Sequence, residues 1–340
     1  MNRAATGVLL AVAIACLAGC GGAGRAPGTT TLGLPTGAGF PDFRKGRTFN
    51  PTPYPQGNWR PAGLVYRDVW FRSGDGTLLH GWYVPCEDPR AVVLYCHGNS
   101  GNLSHRADVL RTLHDEVGVT VFIFDYRGYG RSHGRPTEQG ILADARAARA
   151  WLARCAGVDE HDVVLLGHAL GSGVAVDLAA TDGARALVLE SAFTSVPDVG
   201  ASYFPRLPVR LLTRTELDSY RKIRRYHGPL LQSHGRRDTI VPYRLGQRLY
   251  LAANQPKEFI TLEGHDHMDP LGAEYYGRLA TFLDHLQTPA GYETDVAGDR
   301  REPAEAGMPT SDRPRREAHA AASSGATESH RHRTISVGAR

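Results

Sequence analysis

The apolar run at the start of this sequence is too short to span a bilayer. It extends from Gly7 to Ala18, well under the roughly 20 residues that a spanning helix needs. An excess of one charge sign is missing as well. The formal net charge is +4 over 340 residues, and much of the arginine lies towards the C-terminal end and forms no patch among aromatics. That balance argues against nucleic acid as a partner. No internal repeat is visible. Metal ligands are too few: His265 and His267 flank Asp266 and supply two donors, with nothing at a matching spacing to complete a set. No metal and no cofactor is therefore expected.

What the N-terminus does have is a basic start (Arg3), the apolar run, and then Leu17-Ala18-Gly19-Cys20-Gly21-Gly22. Residues 1–19 read as a signal peptide. Their end resembles the bacterial lipobox, which implies that Cys20 is lipidated and becomes the mature N-terminus. The expected location is the bacterial cell envelope, lipid-anchored and periplasm-facing. Since Gly21 is not aspartate, the resemblance points to the outer membrane where one exists. From Cys20 to Gly57 the chain is rich in Gly, Pro and Thr without apolar period, the composition of a flexible tether. Beyond Thr288, residues 288–340 hold almost no large apolar side chain and are expected to be disordered.

Between these tails, residues 58–287 carry the signals of one domain, and 41% hydrophobic residues suffice for a sizeable core. Leu64–Phe71 and Thr77–Val84 flank the Asp75-Gly76 turn and predict an antiparallel hairpin. Strands at Ala91–Cys96, Val119–Asp125, Val163–Gly167, Ala186–Glu190, Pro229–Ser233 and Glu258–Leu262 then alternate with helical stretches. That alternation is the mark of a mostly parallel sheet covered on both faces. The segment 193–228, after the sixth strand, interrupts it and reads either as a lid over the strand ends or as an ordinary long connection.

In such a sheet the residues just past the strand ends face the ligand. Four places there are informative. The loop Cys96-His97-Gly98-Asn99-Ser100-Gly101-Asn102 has small residues that let backbone N–H groups turn towards a bound oxygen. Asp125-Tyr126-Arg127-Gly128-Tyr129-Gly130 reads as a tight turn shaping the pocket floor, with Arg127 placed to satisfy backbone carbonyls. Gly167-His168-Ala169-Leu170-Gly171 is a strand-to-helix turn with glycines on both sides of a protruding residue. Asp238 and His265 follow the last two strands.

These segments, with Glu190-Ser191-Ala192-Phe193-Thr194-Ser195 and His234-Gly235-Arg236-Arg237-Asp238, resemble the α/β-hydrolase-domain serine hydrolases. The nearest group is the depalmitoylase-like enzymes and their bacterial relatives, over about Leu64 to Leu286. The resemblance implies an α/β fold of the hydrolase type: an eight-stranded, mostly parallel sheet with helices on both faces and a small insertion after strand 6. It also implies that Ala169 stands at the nucleophile position, Asp238 is the acid, His265 the base, and the backbone N–H groups of Asn99 and Leu170 the oxyanion hole. Of the cysteines left after the signal, Cys86 and Cys155 precede strands that neighbour one another in this fold, so a disulfide between them is expected. Cys96 reads as a buried small hydrophobe.

Alanine lacks the oxygen that would attack a carbonyl. Three readings follow: a pseudo-hydrolase that binds a small apolar or acyl ligand or a protein partner without turnover; a hydrolase using water activated by His265, or a substitute serine such as Ser172, Ser100 or Ser191; and an anchored structural lipoprotein. Ser172, one helical turn on, is expected to point away from the elbow tip.

Overall fold

The computed structural model describes residues 48–286; Cys20, the signal segment, most of the tether and the C-terminal tail lie outside them. Strands β2 (Arg67–Arg72), β3 (Leu78–Val84), β4 (Val92–Cys96), β6 (Thr120–Phe124), β7 (Val164–His168), β8 (Ala186–Glu190), β9 (Leu230–Gly235) and β10 (Lys257–Leu262) form one eight-stranded sheet. Its order is β10-β9-β8-β7-β4-β6-β3-β2. The β2–β3 and β3–β6 pairs are antiparallel and the others parallel. Two further short strands, β1 (Asn50–Pro51) and β5 (Ser100–Gly101), pair with each other.

The central strands are apolar throughout because both faces are covered. In β4, Leu94 and Cys96 join one core while Val93 and Tyr95 join the other. The helices α2 (Glu138–Ala156), α3 (Leu170–Asp182) and α7 (Tyr243–Ala252) build the first face. On the second lie α1 (Ala107–Thr112) and α8 (Ala273–Asp284). The architecture is the expected one, an α/β-hydrolase sheet, with strand ends shifted by up to three residues.

Arg127 does not serve backbone carbonyls as expected. Its Nη2 donates to Asp144 Oδ1 (2.7 Å) and its Nη1 to Asp75 Oδ2 (2.7 Å), while its backbone N–H donates to Asp144 Oδ2 (2.9 Å). The bridge locks the turn after β6 onto α2, and removing one partner of so buried a pair typically costs about 3–5 kcal/mol.

Two further expectations are corrected. Cys86 and Cys155 are both free thiols. Cys86 sits against Thr120 and donates to the Glu87 carbonyl, whereas the Cys155 sulfur accepts from Arg67 Nη2 at 3.3 Å, so each thiol has its own neighbours. Residues 48–57, assigned to the tether, are docked along the domain through β1 and a bridge between Pro53 and Gly130.

The segment 193–228 contains α4 (Val196–Tyr203), α5 (Val209–Leu212) and α6 (Ser219–Lys222). Its second half covers core: Leu217, Ile223 and Tyr226 are buried. In its first half, the Tyr203 hydroxyl donates to the Ile240 carbonyl (2.7 Å), beside the loop that carries Asp238.

Candidate active site

The turn between β7 and α3 is a nucleophile elbow by its backbone. Ala169 has φ 49° and ψ −115°, a conformation that L-residues avoid and that costs about 1–3 kcal/mol. Its surroundings impose it. The Ala169 N–H donates to the Glu190 carbonyl (3.0 Å), and the Ser172 N–H returns to the Ala169 carbonyl (2.9 Å). A Cβ on Gly167 would lie 2.4 Å from the Gly171 oxygen, and one on Gly171 would lie 1.8 Å from the Cys96 oxygen. Both glycines are thus needed for the helix to approach β4 and β7 so closely.

The loop after β4 packs directly on this turn. A Cβ on Gly98 would be 2.9 Å from His168 Nδ1 and 3.6 Å from the Ala169 Cβ. His97 is buried beneath it: its Nδ1 is 2.7 Å from the Gly98 oxygen, and its carbonyl accepts the Tyr126 hydroxyl at 3.0 Å. Neither the N–H of Asn99 nor that of Leu170 is taken up by a hydrogen bond to a described residue, which leaves both donors open. Cys96 is fully buried, and burial pushes its thiol up to about 12.

Asp238 comes from the loop after β9. Its Oδ1 accepts the N–H groups of Ile240 (2.9 Å) and Val241 (2.6 Å), which fix the carboxylate plane. On the other oxygen, Oδ2, His267 Nδ1 donates at 2.8 Å and His234 Nε2 approaches to 3.2 Å. Burial alone would raise this carboxyl, but the bonds from His234 and His267 outweigh it and hold it below the ordinary carboxylate range.

His267, not His265, is therefore the histidine on the acid. The His265 ring is part-exposed, with Nδ1 turned to the Glu263 carbonyl at 3.1 Å. Its backbone is what packs inward: its carbonyl accepts Arg237 N–H, and a Cβ on Gly235 would come within 2.5 Å of that oxygen. Asp266 then turns the chain, taking the N–H groups of Thr239 (2.8 Å) and His267 (2.7 Å), so that the second histidine reaches Asp238. The Asp-His pair after Gly264 was the available signal, since an acidic turn residue delays by two positions the side chain that faces in.

The His168 and His267 rings stand 5.2 Å apart, which brings the acid–histidine pair to the elbow. Because the Asp238 carboxylate can only accept, Nδ1 is the donor of His267, and the other ring nitrogen, Nε2, is the one turned from the acid. Burial, first, and the neighbouring His267 hold His168 well below its ordinary range.

Two groups escaped sequence reasoning. His234, four residues before Asp238, bridges that carboxylate and the Val241 carbonyl (2.9 Å). Glu190, at the end of β8, is buried; burial raises its carboxyl to about 7 although the Tyr275 hydroxyl donates to it at 2.6 Å. Ser172 is fully buried, with its hydroxyl given to the Ala169 carbonyl at 2.6 Å. It faces away from the elbow tip.

A family model described as the alpha/beta hydrolase fold matches residues 91–208. An uncharacterized protein of Mycobacterium tuberculosis (strain H37Rv) is 44% identical over 212 residues, 62% of this chain and 74% of the relative. The alpha/beta hydrolase domain-containing protein WAV2 of Arabidopsis thaliana is 32% identical over 63% of this chain and 76% of its own. Protein bem46 of Schizosaccharomyces pombe is 32% identical over 71% and 86%. Among solved structures, the Pyrococcus furiosus esterase Pf2001 superposes with a TM-score of 0.58 at 22% identity, over 71% of this chain and 98% of that one, a likeness of fold.

Proposed function

Since this chain belongs to the α/β-hydrolase fold family, we propose that it is a pseudo-hydrolase, which retains a pocket for a small apolar or acyl ligand without passing through an acyl-enzyme. One observation carries the reading. An intact Asp238–His267 pair stands beside an elbow whose strained tip is Ala169. Acyl transfer needs a hydroxyl at that tip, and loss of one triad member typically leaves only about 10³- to 10⁴-fold over water.

The test is the Ala169→Ser variant of the full chain, assayed with a fluorophosphonate probe and short p-nitrophenyl esters. Labelling and turnover are expected in the variant and not in the parent. A parent that hydrolyses the esters, and loses that activity in His267→Ala, would overturn the reading.

That outcome belongs to a second reading, favoured by His267 Nε2, which makes no hydrogen bond with a described residue: the nitrogen would activate water where the serine oxygen is missing. Two of the candidate substitute serines are already engaged. The Ser172 hydroxyl is committed to Ala169, and the Ser100 hydroxyl accepts from Asn50 Nδ2 at 3.2 Å.

We further infer, from Leu17-Ala18-Gly19-Cys20, that the protein is held at the bacterial envelope by acylation of Cys20, with the membrane as its partner through that lipid. Metabolic labelling with an alkynyl palmitate, lost in Cys20→Ala, is the expected result. Equal labelling of the two would refute it.

A further inference from the structure

Residues 48–57 cross the loop that carries Asn99, and most of that loop's outward hydrogen bonds end on them. The Thr52 N–H donates to the Gly101 carbonyl (3.1 Å), and the Asn50 side chain donates to Ser100 Oγ (3.2 Å). Asn102, fully buried, donates through Nδ2 to the carbonyls of Thr52 (3.1 Å) and Gln56 (2.8 Å). The same segment grips the turn after β6: Gly130 N–H donates to the Thr52 carbonyl (3.1 Å), and Tyr54 N–H to the Gly130 carbonyl (2.8 Å). At its end Gly57, with φ 114°, passes so near Ser104 that a Cβ there would lie 2.0 Å from the hydroxyl.

Asn99 itself is the best-held member. Its side chain is buried, its Oδ1 accepts the Asn50 N–H (3.3 Å) and the Tyr129 hydroxyl (2.7 Å), and its Nδ2 donates to the Thr48 carbonyl (3.1 Å). Two of these three partners belong to the segment 48–57. The side chain is thereby spent on anchoring, while the backbone N–H stays open.

We propose that residues 48–57 form a strap that sets the position of the Asn99 N–H, with Asn50 and Tyr129 as its positioning residues. The inference rests on the reading of Asn99 as half of an oxyanion hole. The loop has little of its own to hold it: Gly98, Ser100 and Gly101 are small, and the pairing of β1 with β5 is its only strand partner among the described residues. An intact strap therefore keeps an oxyanion donor preorganised, and such preorganisation is worth most where a small displacement misplaces the donor.

The test uses the full chain carrying Asn50→Pro, which removes both Asn50 donors, and separately Tyr129→Phe, which removes only the hydroxyl. Hydrogen exchange followed by mass spectrometry is expected to quicken by about tenfold across residues 99–102 in Asn50→Pro, with α8 unchanged as the control for folding. In the Ala169→Ser background, the fluorophosphonate labelling rate should fall about 10- to 100-fold, in the maximal rate more than in probe affinity. Tyr129→Phe should show the same pattern more weakly. Unchanged exchange across 99–102 in both variants overturns the strap, as does unchanged labelling despite faster exchange. If Ala169→Ser itself fails to label, the pocket reading falls, and exchange alone decides whether the strap holds the loop.

Discussion

His267 Nδ1 lies 2.8 Å from Asp238 Oδ2, and this bond decides which of two histidines in His265-Asp266-His267 belongs to the site. In an Ala169→Ser background, His267→Ala should lower the fluorophosphonate labelling rate by about 10³-fold or more, as removal of a triad base does elsewhere. His265→Ala should leave the rate within about twofold, because among the described residues its ring serves the Glu263 carbonyl alone. Equal losses in the two variants would refute the assignment.

Ala169 carries the elbow's strain without the chemistry that usually accompanies it. Glycine adopts φ 49°, ψ −115° freely, so Ala169→Gly relieves about 1–3 kcal/mol of strain and gives back about 0.5–1 kcal/mol in unfolded-chain entropy. The variant should be more stable by about 1 kcal/mol, read as a higher urea midpoint at unchanged slope. A lower midpoint would mean that the alanine methyl contributes more by packing than its backbone costs.

Most of the sheet was legible because its strands are short, continuous apolar runs that only a doubly covered sheet can bury, and Gly167, Gly171 and Asp238 follow from that frame. The base was less so: the choice between His265 and His267 depends on how Asp266 turns the chain, and strand periodicity says nothing about a loop. The docking of residues 48–57 was illegible for a different reason. Backbone groups and the amides of Asn50, Asn99 and Asn102 hold them, and such bonds leave no apolar pattern. Glu190 looked like an ordinary strand end because its partner, Tyr275, is 85 residues away in sequence.

The free thiols give a simple chemical check. Cys155 is exposed and Cys96 fully buried, with its thiol raised by burial to about 12. Iodoacetamide on the native protein at pH 8 should modify Cys155 readily and reach Cys96 only after denaturation, since the thiolate is the reactive form. Peptide mapping without reductant should recover Cys86 and Cys155 as separate peptides. A joined peptide would contradict the separate neighbours of the two sulfurs.

Glu190 should leave a signature in stability against pH. Burial lifts its carboxyl from 4.5 to about 7, against the hydrogen bond from Tyr275 and the charge of Arg106, which lower it. A carboxyl with the higher pKa in the folded state binds its proton there more tightly, so stability is full below about 4.5 and is lost as pH rises towards about 7. The loss amounts to about 3 kcal/mol at most, at 1.36 kcal/mol for each unit. Glu190→Gln keeps the shape and still accepts the Tyr275 hydroxyl, but does not ionise. Its urea-unfolding free energy should match the parent's near pH 4.5 and exceed it by up to about 3 kcal/mol at pH 8. Asp238 does not confuse the measurement: its lowered carboxyl supports stability above its unfolded value of 3.8, and that support is lost only at lower pH, equally in both proteins. A difference between variant and parent that stays flat from pH 4.5 to 8 would show that Glu190 holds no proton beneath the elbow.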